Sequence, residues 1–200
     1  MKQQITFRQY RGMDVAVFTL LLCLCETLIT FAATRWFPGE PYTLSVTPAV
    51  TALVMVRWGW PAAIPAVLGA LVFCLASGAR AAQFLIYCAG NLAAVGMLLF
   101  LRRYDWQRLH DQVLLALLYG LLTALAMQLG RALIALLLGT PAATCAGFIT
   151  TDALSAVFAA LIVWIARQLD GMLEDQKHYL FRIAEEQEKE RARANDPWQD

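Results

Sequence analysis

Charge is scarce in this sequence. Only 16% of its 200 residues are Asp, Glu, Lys or Arg, whereas a soluble domain carries about 25%. The few charges crowd into the two ends and one central segment, with long apolar stretches between them. A run of about 20 apolar residues is what a hydrocarbon core ~30 Å thick requires. Inside that core no water satisfies the backbone, so a spanning segment is either a helix or part of a closed barrel. The apolar runs are continuous rather than alternating, which selects helices. With a mean hydropathy of +0.55, the chain reads as an all-α polytopic membrane protein.

Other absences narrow the function. Net charge is +1, so no basic surface is expected for nucleic acid. His110 and His178 are the only histidines. Both fall in charged segments, so no intramembrane pair is present to hold a haem. No Gly-x-Ser-x-Gly, His-Glu-x-x-His or Walker pattern occurs. Asp152 beside Thr150 and Thr151 lacks an activating group of the kind a nucleophile needs. The expectation is therefore a protein that is not an enzyme and carries no cofactor. The five cysteines, Cys23, Cys25, Cys74, Cys88 and Cys145, are odd in number and all lie in apolar runs, unlike a disulfide framework. Cys23 and Cys25 are two apart and point to different helix faces, so they read as small apolar filler and no metal site is expected. The first apolar run is long enough to span and lacks the short core and cleavage site of a signal peptide.

Six helices are expected: 14–34, 43–56, 61–76, 81–101, 112–138 and 142–165. The second and third are short and are also compatible with one re-entrant hairpin. They divide the chain into a cytoplasmic segment (1–13), a six-helix transmembrane substrate-binding domain (14–166) and a charged amphipathic tail (167–200). Lys and Arg in short loops set orientation. With the N-terminus inside, Lys2, Arg8, Arg11, Arg57, Arg102, Arg103, Arg108 and Arg167 are inside, and only Arg35 and Arg80 are outside. Both termini are thus expected in the cytoplasm of a multi-pass cell-membrane protein. Trp36, Trp58, Trp60, Tyr104 and Trp106 fall near helix ends, where amphipathic rings settle. Small residues recur four apart at Thr19/Cys23/Thr27, Ala89/Ala93, Gly120/Ala124 and Thr151/Ser155/Ala159, a pattern that lets membrane helices approach closely. It serves either packing within the bundle or docking onto a partner.

Charged residues at bilayer depth cost about 2.5–3.5 kcal/mol even on the mildest scale. Glu26, Arg131 and Asp152 are such residues. Together with Asn91 they fall at one level in the outer half of the bundle. Gln128 lies one turn below Arg131 on its face, Tyr87 one turn above Asn91, and Thr47 and Pro48 lie near the same level. One reading is a structural ion network. The other is a ligand pocket open to the outside, in which two carboxylates face one guanidinium and leave an acid spare. Trp36, Phe37 and Tyr42, in a Pro- and Gly-bounded loop above, would form an apolar lid. The tail carries Leu169, Met172, Leu173, Leu180 and Ile183 at helical spacing. It reads as an extension of the last helix along the membrane surface, or as a contact for a partner.

Residues 8–167 resemble the substrate-binding S components of energy-coupling factor (ECF) transporters. The likeness lies in size, six spans, inside termini and the region Tyr42-Thr43-Leu44-Ser45-Val46-Thr47-Pro48-Ala49-Val50 through Trp58-Gly59-Trp60-Pro61 to Gly69-Ala70. That region is similar to the family's short second and third helices, and the loop after helix 1 to its lid. The resemblance implies a high-affinity binder of a vitamin or similar small nutrient. It would topple in the lipid bilayer against a transmembrane coupling subunit that carries two ATPases. In the family, helix 1 meets that subunit through Ala-x-x-x-Ala. Here the comparable stripe is Thr19, Cys23 and Thr27. The competing reading is a membrane sensor or scaffold that signals through its tail.

Overall fold

A computed structural model describes residues 6–38, 42–104 and 106–194. These residues form helices joined by short turns, without strands. The middle of the expected lid loop, 39–41, and the chain ends, 1–5 and 195–200, lie outside the described residues.

The first helix, α1 (Phe7–Trp36), starts a full two turns before the expected Asp14. Its start is fixed by Thr6, whose side chain accepts from Gln9 N while Gln9 Oε1 accepts from Thr6 N. This reciprocal capping satisfies donors that a helix end leaves orphaned. At 1.5 Å per residue, α1 is about 45 Å long, more than a hydrocarbon core. α2 (Thr47–Trp58) begins at Thr47 rather than Thr43, with a proline in its first turn, where the missing N–H costs nothing. A 3-10 turn, Trp60–Ala62, leads into α3 (Ala63–Ala76).

The expected fourth helix is composite. α4 (Ala81–Asn91) tightens into a 3-10 stretch, Leu92–Met97, and resumes as α5 (Leu98–Tyr104). The central charged segment contains the short helix α6 (Trp106–Asp111). α7 (Val113–Leu137) matches its expected span within a residue. The expected sixth helix is interrupted at Asp152, giving α8 (Ala142–Thr151) and α9 (Ala153–Ala166).

Four segments are long and apolar enough to cross a membrane: Phe7–Trp36, Ala81–Tyr104, Val113–Leu137 and Ala142–Ala166. The apolar segment Trp60–Ala76 is shorter. Their outward faces carry Leu20, Leu24, Leu28, Phe31, Leu129 and Leu133, all exposed. An uncovered apolar surface of this kind belongs in lipid.

α2 is the inner element. Ten of its residues are buried, and it packs against α1, α3, α7 and α9. Because α2 meets protein on all sides, its sequence is apolar all round rather than striped. Around it run the contacts α1 to α3, α3 to α4, α4 to α7 and α7 to α9. Glycines set the closest approaches. A Cβ on Gly90 would lie 2.6 Å from Arg131 Cα, and one on Gly120 would lie 2.7 Å from the Ala159 carbonyl oxygen. Ala49, Ala124, Ala156 and Ala159 form one buried cluster, so the small-residue stripes on α7 and α9 serve packing within the bundle. On α1 only Thr19 of its stripe is buried; Cys23 is half-buried and Thr27 exposed.

The start of α1 and the segment after the last apolar helix meet at one end of the bundle. Tyr10 Oη donates to Gln176 Oε1 at 3.5 Å. Nearby, Arg57 pairs with Asp14 through both terminal and ε nitrogens, at 2.8 and 2.9 Å, and donates to the Gly171 carbonyl at 2.6 Å. The last helix therefore does not continue into the tail as expected. The chain turns at Gly171, whose φ is +67°, buries Leu173 and Gln176, and only then forms α10 (Gln176–Ala194). The exposed face of α10 carries the i, i+4 pair Glu185–Lys189 at 2.8 Å, which holds the Glu185 carboxyl below its ordinary value.

The tight α4–α7 crossing has a direct test. Gly90→Val should lower stability by about 1–3 kcal/mol, the usual cost of forcing extra carbon into a packed contact. Gly147→Ala, where no atom lies within 4 Å, should leave thermal unfolding in detergent unchanged or slightly improved.

Candidate functional site

Seven of the ten residues singled out in the sequence come together: Glu26, Thr47, Tyr87, Asn91, Gln128, Arg131 and Asp152. All but Tyr87 are fully or nearly fully buried. Arg131 holds the centre. Its Nη1 lies 2.8 Å from Asp152 Oδ2, and its Nε donates to Asn91 Oδ1 at 2.7 Å. Its guanidinium carbon sits 4.7 Å from the centroid of the Tyr87 ring, a cation–π contact that strengthens when desolvated. Asn91 is itself fixed, donating from Nδ2 to the Ala66 carbonyl of α3 at 3.0 Å.

The guanidinium reaches Asn91 because its backbone can. Gly130 and Gly90 face each other across the crossing, so α7 approaches α4 at the turn bearing Arg131 and Asn91. Any side chain at Gly90 would strike the Arg131 backbone. The two glycines therefore act on the site as well as on packing.

The break at Asp152 supplies the rest. Interrupting a helix frees carbonyls that must find donors. The Thr151 carbonyl accepts from Thr43 N at 3.0 Å, and the Asp152 carbonyl accepts from Gln128 Nε2 at 2.9 Å. The segment before α2 is stitched to the same place. Ser45 N donates to Ser155 Oγ at 2.9 Å, Thr43 Oγ1 to Asp152 Oδ1 at 3.2 Å, and the Ser155 hydroxyl also donates to Asp152 Oδ1. Asp152 thus receives three side-chain donors, and each of its oxygens is engaged.

Glu26 is different. It is 0% exposed and lies against the start of α2. Its Oε2 accepts from Val46 N at 3.2 Å and Thr47 Oγ1 at 3.3 Å. Its Oε1 takes part in no hydrogen bond of ordinary geometry, and no cation pairs with it among the described residues. The sequence left open which acid balances Arg131; it is Asp152, and Glu26 is the spare. Between the elements lies a narrow polar cleft of about 10 Å³. It is lined by Thr43, Thr47, Phe73, Tyr87, Arg131 and Asp152 among others. This is near the smallest volume that admits one water.

Trp36, Phe37 and Tyr42 do not join the cluster. They are 71%, 63% and 58% exposed and do not line the cleft. The neighbouring Thr43, Ser45 and Ser155 do the contacting instead. Sequence reasoning passed over these three because small hydroxyl residues at bilayer depth resemble packing filler. Pro48 was the available signal: a proline in the first turn puts the helix start at Thr47 and leaves 43–46 as free-standing backbone. No cluster of His, Cys, Asp or Glu among the described residues is arranged to hold a metal.

Compared with known proteins, the chain matches no family model, no curated protein and no solved structure.

The two acids should respond differently to neutralisation. Asp152→Asn strands a buried guanidinium and should cost about 3–5 kcal/mol. Glu26→Gln removes no ion pair and should shift stability by less than about 1 kcal/mol. Equal losses in thermal unfolding would contradict the pairing.

Proposed function

We propose that this chain is the membrane-embedded substrate-binding subunit of an ECF-type uptake system for a vitamin or related small organic nutrient. The observation that carries the proposal is Glu26. A fully buried carboxylate without a cationic partner is costly in lipid surroundings and marks function. The neighbouring Arg131 is paired with Asp152 and makes no ion pair with Glu26. A ligand that brings a cationic or hydrogen-bond-donating group to Glu26, and a polar group to the Asn91–Arg131 side, would complete both. The small cleft means that binding requires the 42–46 segment to move away from Asp152 and Ser155. Trp36, Phe37 and Tyr42, on the chain leading into that segment, would travel with it as a lid.

In this reading α2 and α3 also cross, giving six spans, with the polar cluster in the outer half. Arg57 and Arg102 then share the cytoplasmic side with both termini of a cell-membrane protein, in accord with the positive-inside rule. Energy would come from a transmembrane coupling subunit and its two ATPases. The alternative, a sensor or scaffold, draws support from the tail. Arg57 bonds to the carbonyls of Gly171 and, at 3.4 Å, Met172, which ties segment 171–176 to α2 in the bundle core.

Mass spectrometry of small molecules released from the purified protein separates the two. The uptake reading predicts a stoichiometric organic molecule that is lost in Glu26→Gln and kept when residues 176–200 are removed. It also predicts co-purification with ATPase subunits. Absence of any bound molecule, no binding across a panel of vitamins and a tail indispensable to function would overturn it in favour of signalling.

A further inference from the structure

A wide, open cavity lies at the opposite end of the bundle from the polar cluster. It measures about 730 Å³ and opens between the start of α1, the end of α2, α5 and the start of α10. Two kinds of surface meet in it. One wall is apolar: Trp60, Leu98 and Leu101 line it, and both leucines belong to a segment apolar enough to cross a membrane. The other wall is cationic: Arg11, Arg102 and Lys177.

These three cations are uncommitted. None of their side chains makes a hydrogen bond or ion pair among the described residues, whereas the neighbouring Arg57 is fully engaged by Asp14 and the Gly171 carbonyl. Among the described residues, Asp175 is the one acid lining the cavity. It already accepts from Lys177 N at 2.8 Å and lies 3.6 Å from His178 Nδ1. Positive charge is therefore in excess. The floor is tightly packed: Phe7 and Tyr10 lie edge-on to the Trp58 ring at 5.5 and 5.9 Å, and Trp58 Nε1 donates to Asp14 at 2.5 Å. Trp60 stands 65% exposed at the rim, the position an indole takes at a bilayer interface.

We propose that this cavity binds the headgroup of an anionic phospholipid. Arg11, Arg102 and Lys177 hold the phosphate, and the acyl chains run along Leu98, Leu101 and Trp60 into the bilayer. Guanidinium and ammonium groups are the usual phosphate ligands, and basic pockets at the ends of transmembrane helices bind acidic headgroups. A free phosphate would use the cationic wall and leave the apolar one idle. Because α10 supplies Lys177 and α2 supplies the floor, a bound lipid would clamp the tail to the bundle. The proposal is independent of the uptake reading.

The test uses the full chain in a neutral detergent. Native mass spectrometry and thermal unfolding are followed with phosphatidylglycerol, with phosphatidylcholine of the same acyl chains, and with inorganic phosphate. Phosphatidylglycerol should be retained as an adduct and raise Tm. Phosphatidylcholine should do neither, and millimolar phosphate should not displace the lipid. The double variant Arg102→Gln/Lys177→Gln, at two exposed positions, should lose retention at least tenfold. Arg103→Gln, an exposed cation outside the cavity, should keep it. Equal retention of the two lipids, wild-type retention by the double variant, or an equal loss in Arg103→Gln would overturn the proposal. Displacement by inorganic phosphate would reassign the cavity to a soluble anion and overturn it equally.

Discussion

One ion pair organises the upper part of this bundle. Arg131 is placed where water is excluded, and such a charge is tolerated only with a counter-charge and its remaining donors satisfied. Asp152 supplies the charge at 2.8 Å, Asn91 takes the Nε–H, and Tyr87 covers the guanidinium face. Each of these partners imposes a condition on the backbone. Asn91 is within reach only because Gly90 and Gly130 let α4 and α7 approach. Asp152 sits where the last apolar helix breaks, and the break is tolerated because Thr43 and Gln128 take up the freed carbonyls. The break at Asp152 and the free-standing 43–46 segment meet at that pair.

Glu26 stands apart from that pair. Were Arg131 shared between two acids, the cluster would be a closed structural network with one excess charge spread over it. Instead, Asp152 takes the guanidinium, and Glu26 accepts from Val46 N and Thr47 Oγ1 on one oxygen without an ion pair. Two backbone and hydroxyl donors soften a buried carboxylate without neutralising it. That asymmetry supports a site whose chemistry is completed from outside.

Much of this was legible before any coordinates. Long continuous apolar runs marked α7 to within a residue at each end and the apolar part of α1, since length and hydropathy dominate helix formation in lipid; the polar first two turns of α1 rest on the Thr6–Gln9 cap instead. Rare intramembrane charges marked Glu26, Arg131 and Asp152, and helical periodicity added Asn91, Gln128 and Tyr87. The helix breaks were not legible. Asp152 interrupts its helix through tertiary contacts with Arg131, Thr43 and Ser155, which no local propensity encodes. Nor was the turn at Gly171 apparent, because the carbonyl that fixes it is bound by Arg57 from 114 residues away. The aromatic lid was inferred from composition, and composition does not say which way a loop points. Its rings lie exposed while the hydroxyl residues beside it make the contacts.

The account stands on the assignment of Asp152, not Glu26, as the counter-charge of Arg131. A pair of double-mutant cycles measures this directly: Arg131→Met with Asp152→Leu, and Arg131→Met with Glu26→Leu, each followed by reversible unfolding in detergent. The account predicts strong coupling in the first cycle, so that the double variant recovers most of the stability lost by either single change. It predicts near-additivity in the second. Additive losses at Asp152 together with strong coupling at Glu26 would contradict it.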